Sequence, residues 1–390
     1  MIYLDYHATT PCDLRVVETM LPYFTEHFGN PSSELNVAGR NASAAVDTAR
    51  AQVAALIGAL PGEIVFTSGA TESNNIALLG LAQAASGNRR RVITISTEHK
   101  AVLNPCHELE NRGFETVVLP VKTDGQVDLE ELRQAITEDT LVVSIHAANN
   151  EIGTIQPIRA IAALAHEKGA IFHCDAAQAV GKIPVDVDAW DVDLLSLSAH
   201  KLYGPKGVGA LYVRNGVYAS QIKPLVFGGG QERNLRSGTL NVPGIVGLGA
   251  ACALCHDELS QEASRIGALR DALESAIITS LPTVRRNGAL EKRLPGNSSL
   301  LLPGLEAEAL IANVPELALS TGSACTSGAP EPSHVLLAIG LTRVESYSTV
   351  RIGIGRFTAN YDITYAATLI VNAARRLMER QENSHLTGVA

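Results

Sequence analysis

The chain's densest chemistry lies in two short segments. Asp175 and Gln178 close one apolar run, and Ser198-Ala199-His200-Lys201 closes the next, with Lys201 standing 26 residues after Asp175. An acid, an amide, a hydroxyl, an imidazole and an amine across one strand–helix–strand unit suit pyridoxal phosphate chemistry. There a lysine holds the cofactor aldehyde as a Schiff base and a carboxylate pairs with the pyridinium nitrogen. A charge-assisted bond of that kind is worth about 1.5–3 kcal/mol, or roughly one to two pKa units, enough to keep a pyridine nitrogen protonated near neutral pH. Taken singly, each residue has a plainer reading: Asp175 as a helix cap, Gln178 as a surface amide, Lys201 as a solvated amine. Together they favour Lys201 as the Schiff-base lysine, Gln178 as a donor to the ring hydroxyl oxygen, and Ser198 and His200 as phosphate contacts. Lys206, in the glycine-rich run Gly204-Pro205-Lys206-Gly207-Val208-Gly209, is the competing lysine, without a flanking hydroxyl or imidazole.

Three further segments carry reactive types. Ser68-Gly69-Ala70-Thr71 lies between an apolar strand and a helix, where glycine admits close backbone approach and the helix end offers N–H groups to an anion; an ordinary N-cap turn and a phosphate site both fit it. His99 follows another strand, as a cap or as a ring that stacks on a pyridine and shuttles protons. Cys325 stands among small polar residues, Gly322-Ser323-Ala324 before it and Thr326-Ser327-Gly328 after. Structural cysteines sit among apolar neighbours, so this one reads as reactive. No Lys, Arg or His flanks it to lower its thiol pKa, so activation has to come from groups met elsewhere, such as His99 or the substrate itself.

Strands and helices alternate from residue 64 to residue 213, which predicts a mainly parallel sheet covered on both faces. Helices are expected over 16–28, 41–57, 76–85, 100–111, 129–136 and 158–168. The rhythm then changes: a long helix over 258–281, short strands at 298–302 and 318–320, and a closing strand–helix pair. The expected fold is α/β, with a large, mainly parallel seven-stranded sheet domain over 12–257. A smaller α+β domain comprises 1–11 and 258–390 and carries the Cys325 loop.

The net charge of −9, with no basic tail or stripe, argues against direct nucleic-acid binding; Arg89-Arg90-Arg91 reads as a solvated loop. No signal peptide and no stretch approaching the roughly 18 apolar residues of a membrane span is read, so a cytoplasmic protein is expected. The six cysteines are scattered and resemble neither a disulfide framework nor a metal set, and Cys252 and Cys255 read as two buried helix residues.

In its motifs the chain resembles the cysteine desulfurases of the NifS/IscS type, within the class V aminotransferase group. The matching segments run in order along nearly the whole chain: Tyr3-Leu4-Asp5 with Ala8-Thr9-Thr10-Pro11, Gly29-Asn30-Pro31-Ser32-Ser33, Ser68-Gly69-Ala70-Thr71-Glu72-Ser73-Asn74-Asn75, Thr97-Glu98-His99-Lys100, Asn149-Asn150-Glu151-Ile152-Gly153, the two opening segments, Arg236-Ser237-Gly238-Thr239-Leu240, Ser323-Ala324-Cys325-Thr326-Ser327 and Arg351-Ile352-Gly353-Ile354-Gly355-Arg356-Phe357. The resemblance implies that the α/β fold is of the pyridoxal-phosphate-dependent aspartate-aminotransferase type (fold type I). It implies that pyridoxal 5'-phosphate is bound by Ala70, Thr71, His99, Asn150, Asp175, Gln178, Ser198, His200 and Lys201, and by Thr239 reaching the phosphate of a neighbouring subunit in a homodimer. It implies that Arg351 clamps the substrate carboxylate, with Asn30 and Asn150 beside it and Arg356 as the nearby alternative. The implied reaction converts L-cysteine to L-alanine and leaves a persulfide on Cys325, with Lys201 and His99 as its other catalytic residues. The sulfur then passes to an acceptor protein in iron–sulfur cluster assembly, tRNA thiolation or DNA phosphorothioation. A selenocysteine lyase, an aminotransferase and a non-catalytic scaffold subunit are the alternatives. Asn36 stands where the family has histidine, and the stretch after Phe357 is shorter than the tail with which housekeeping members engage a scaffold.

Overall fold

Among the described residues twelve strands are formed, and their composition explains their places. They are β1 (Ile2–Tyr3), β2 (Ile64–Thr67), β3 (Arg91–Ile95), β4 (Glu115–Leu119), β5 (Thr140–Ser144), β6 (Ile171–Asp175), β7 (Leu194–Ser198), β8 (Gly209–Val213), β9 (Arg285–Arg286), β10 (Asn297–Leu301), β11 (Leu317–Ala318) and β12 (Thr349–Gly353). The computed structural model describes residues 1–215, 221–321 and 331–387, and every structural statement below concerns those residues. The segment containing Cys325 lies outside them.

β2 to β8 form one seven-stranded sheet in the order β2-β8-β7-β6-β5-β3-β4, parallel except for β8, which runs antiparallel to both neighbours. Successive residues point to opposite faces, and both faces are buried. Ile64 and Phe66 of β2 join the main core, while Val65 joins a second cluster with the helices Ala70–Ala84 and Lys100–Asn111. Leu195 and Leu197 against Leu194 repeat the division on β7. This is the expected α/β architecture.

A separate core gathers Leu4, Leu300, Val350, Ile352 and Ile370 around the three-stranded sheet β12-β10-β9 and the helix Asn360–Thr387. One long helix, Val242–Ser280, serves both cores, giving Val242 to Cys255 to the first and Ile266 to Ile277 to the second. It begins 16 residues before the expected helix over 258–281; its Gly- and Ala-rich first half packs closely on the helix Val37–Ile57, and a Cβ on Gly249 would lie 2.6 Å from Ala49 Cα. By length and composition this helix could cross a membrane, contrary to the sequence expectation, but 56% of its apolar window is buried inside the fold. The helix expected over 76–85 starts earlier, at Ala70, directly on Gly69. That expected over 16–28 is split into Leu14–Met20 and Pro22–Thr25, with Pro22 at the start of the second piece.

The N-terminal segment ties the two cores together. β1 pairs with β11, Asp5 bridges to Gly353 at the end of β12, and Thr10 donates to the carbonyl of His200. At this crossing a Cβ on Gly353 would lie 2.7 Å from the Tyr6 nitrogen, so no larger residue fits.

Candidate active site

The carboxyl ends of β2, β3, β5, β6 and β7 open into one cavity of about 570 Å³, within the usual size of a small-ligand site and at the usual edge of an open α/β sheet. Each strand delivers its own group: Gly69 to Thr71 after β2, His99 after β3, Asn150 after β5, Asp175 at the end of β6, and Ser198, His200 and Lys201 after β7. Ala70, Gln178 and Arg351 line the same cavity. The structure thus brings together residues that sequence spacing leaves scattered.

One end is built for an anion. The helix Ala70–Ala84 begins at Gly69, whose φ of 152° suits glycine and which supplies no side-chain cap, so its first N–H groups face the cavity end without one. β8 passes so close that a Cβ on Gly209 would lie 2.6 Å from Gly69 Cα. Ser198, His200 and Lys206 line this end. Burial, then the charges of Lys201 and Lys206, push the His200 pKa down to about 4, so the ring is neutral at physiological pH; its Nδ1 lies 3.1 Å from Thr9 Oγ1.

The floor is Asp175. Asn74 Nδ2 donates to Asp175 Oδ2 at 2.7 Å, and the Ala177 N–H donates to Oδ1 at 2.9 Å. These bonds fix the carboxylate's orientation. His99 caps the helix Lys100–Asn111 by accepting the Ala101 N–H on Nδ1 at 3.1 Å. The neutral ring therefore carries its proton on Nε2, and burial foremost, with Lys201 also acting against the charged form, lowers its pKa. Lys201 Nζ donates to the carbonyl oxygens of His7 at 2.6 Å and Ala8 at 2.8 Å.

At the other end Arg351 is buried, 3% exposed. Its Nη1 donates to the Asn150 carbonyl at 3.1 Å, and its Nη2 donates to Asp5 Oδ1 at 2.8 Å and Ser320 Oγ at 3.1 Å; Nε–H has no acceptor. Arg356, the alternative, does not line the cavity. Its guanidinium is held by Asp13 and Glu262 and lies 4.3 Å from the Tyr203 ring centre. Asn30 and Thr239 are exposed and lie outside the cavity of their own chain; Asn30 Oδ1 accepts the Ser32 N–H. Asn36 caps the helix Val37–Ile57, accepting the Gly39 N–H at 2.8 Å.

Sequence reasoning missed several cavity residues. Asn74 stands one helical turn after Ala70, a spacing that placed it on the cavity face. His146 lines the cavity and pairs through Nδ1 with the fully buried Glu98 at 3.1 Å; nothing in its sequence context marks it. His7 is buried, with Nδ1 3.1 Å from Gln178 Oε1. The Gln178 amide nitrogen donates to the His7 carbonyl at 2.9 Å.

The comparisons with known proteins fit this geometry. The model for "Aminotransferase class-V" matches residues 2–365.

The chain belongs to the class-V aminotransferase family.

Within that family it is similar to a protein named Cysteine desulfurase IscS from Anaeromyxobacter sp. (strain Fw109-5), 49% identical, with 97% of this chain and 93% of the relative covered. Among solved structures, a NifS-like protein is 38% identical with a TM-score of 0.89, covering 97% of this chain and 99% of that one. A structure described as SspA in complex with cysteine is 39% identical with a TM-score of 0.82, covering 92% of this chain and 100% of that one. The resemblance to NifS/IscS-type desulfurases read from the motifs is borne out, as is the fold expectation.

The donor set fits pyridoxal phosphate. An uncapped helix end with neutral His200 and a nearby lysine suits a dianion, an oriented carboxylate suits a pyridinium, and a primary amine stands between them.

Proposed function

We propose that the chain is a pyridoxal-phosphate-dependent cysteine desulfurase, acting in the cytoplasm as a homodimer, with residues 12–257 as the cofactor-binding unit and 1–11 with 258–390 as the smaller one. The observation that carries this is the opening of Asp175, Lys201 and Arg351 into one cavity. When bound, the cofactor supplies an aldehyde that captures the substrate amino group and a ring that takes up the electrons freed at its α-carbon.

The protein's own groups do the rest. Ala70, Thr71, Ser198 and His200 hold the phosphate, joined by Thr239 of a second copy. Asp175 would pair with the ring nitrogen, and His99, with its proton at Nε2, would face the ring. Gln178 and Asn150 face the ring oxygen. Arg351 takes the substrate carboxylate on its unfilled Nε–H edge; a buried N–H without an acceptor costs about 1–3 kcal/mol, which the substrate relieves. Lys201 is the amine that would hold the cofactor, and its Nζ donates to the His7 and Ala8 carbonyls. The Cys325 thiolate attacks the substrate sulfur; the carbon–sulfur bond breaks with its electron pair left on carbon, which a proton then fills. Alanine leaves and Cys325 keeps the sulfur as a persulfide for an acceptor protein.

The test is product analysis with L-cysteine and a reductant. Alanine and sulfide should form in equal amounts, and Cys325→Ala should keep the cofactor while losing sulfide release. Keto acid in place of alanine would point to an aminotransferase, and full sulfide release by Cys325→Ala would remove the persulfide role.

A further inference from the structure

Behind Lys201, three contacts hold one side-chain amide in a single orientation. The His7 carbonyl can only accept, so the atom of Gln178 facing it at 2.9 Å is the nitrogen. The amide oxygen then faces Lys182, whose Nζ donates to it at 2.6 Å, and the His7 Nδ1 at 3.1 Å. A reversed amide would set oxygen against the carbonyl oxygen. The His7 carbonyl already serves Lys201 as well. One Gln178 N–H is left over, on a residue that lines the cavity.

Lys182 reaches this place for local reasons. It lies four residues after Gln178 in a tight turn that brings its Nζ back to the Gln178 amide. Gly181 between them has a φ of 76°, and a Cβ there would lie 2.8 Å from Leu202 Cβ and 3.0 Å from Cys255 Sγ. The turn is pressed against the core, so the lysine is directed along it rather than into solvent. A surface lysine would keep its head in water; this one gives it to an amide.

We propose that Lys182 is a positioning residue: by holding the Gln178 amide oxygen, it keeps the remaining Gln178 N–H turned into the cavity, toward the ring oxygen of the bound cofactor. The inference rests on the reading of Gln178 given above and adds a residue to it. Burial, with Lys201 and Arg351 nearby, lowers the Lys182 pKa well below its usual range, and an amine donates to the amide oxygen with or without its charge. The other groups facing Lys182 are His7 from the N-terminal segment and Cys255 and Glu262 from the helix Val242–Ser280.

Because Lys182 lies near Lys201, a simple charge effect has to be separated from positioning, and a double-mutant cycle does so. The readout is the pH midpoint of the bound cofactor's absorbance change in purified holoenzyme, with melting temperatures taken on the same samples. Gln178→Ala withdraws a donor from the ring oxygen, leaves more negative charge there to hold a neighbouring proton, and should raise the midpoint by about half to one unit. Lys182→Met should raise it by a similar amount, Lys182→Arg should restore it, and the double variant should match Gln178→Ala alone. Lys182→Ala runs the same cycle where the methionine variant fails to fold. A Lys182→Met shift that persists in full on top of Gln178→Ala would overturn the proposal in favour of charge acting on Lys201, and no shift for Lys182→Met beside a clear one for Gln178→Ala would overturn it outright. If Gln178→Ala holds cofactor at an unchanged midpoint, the reading of Gln178 fails, a result distinct from the other two.

Discussion

Two arginines five residues apart, Arg351 and Arg356, occupy opposite kinds of surroundings. Arg356 is surrounded by anions: Asp13 at 2.9 Å, Glu262 at 2.9 Å and Glu258 at 3.7 Å, with the Tyr203 ring over its face. Arg351 has one carboxylate, a carbonyl, a hydroxyl and an Nε–H with no acceptor. The first set leaves no edge for a ligand and joins the N-terminal helix to the helix Val242–Ser280. The second lies on a cavity wall with a donor to spare. A buried cation alone does not mark a binding site; what distinguishes the two is whether the protein has already satisfied it.

The comparison breaks most easily at Arg356. Arg356→Ala leaves the partly buried Glu262 without its arginine and the buried Asp13 with Arg15 alone, and should cost about 3 kcal/mol of stability in denaturant unfolding, with kcat/KM per folded molecule near wild type. Lost turnover in fully folded protein would contradict a structural role. Arg351→Ala should do the reverse: kcat/KM for L-cysteine falls by about a hundredfold or more, consistent with about 3 kcal/mol for a desolvated carboxylate pair, while cofactor stays bound. An unchanged KM for cysteine would remove the carboxylate role.

A smaller effect sharpens the Arg356 side. Hydrogen bonding from Arg15 first, opposed by burial, and then from Arg356 holds the Asp13 carboxyl well below its usual range. Its stabilising contribution is therefore present above its unfolded pKa near 4 and lost as pH falls toward its folded value. Since Arg15 still depresses Asp13 in the variant, the stability deficit of Arg356→Ala should shrink only as pH falls below about 4, measured by urea unfolding at each pH. A deficit that stays constant would mean that the Asp13 contact adds nothing.

How far the sequence reaches follows the same division. Asp175, Ser198, His200 and Lys201 were legible because each ends or follows a buried strand, and parallel strands place their carboxyl ends on one edge. The resemblance put Arg351 ahead of Arg356, but the physical reason was not legible, since Asp13 lies 343 residues from Arg356 and Asp5 lies 346 residues from Arg351. His7 was missed for that reason too: its partner Gln178 is 171 residues away. Lys182 was available from its spacing to Gln178, but a lysine four residues after a glutamine carries no signal until the turn is seen pressed against Leu202 and Cys255. The early start of the helix Val242–Ser280 was hidden by glycines, which disfavour a helix alone but allow close packing here.

The central claim is that one amine in this cavity holds the cofactor, and reductive trapping tests it most directly. Borohydride reduction of the purified protein, followed by peptide mapping, should place the pyridoxyl adduct on Lys201. An adduct on Lys206 or Lys182, or none on a protein that retains the cofactor, would contradict the account.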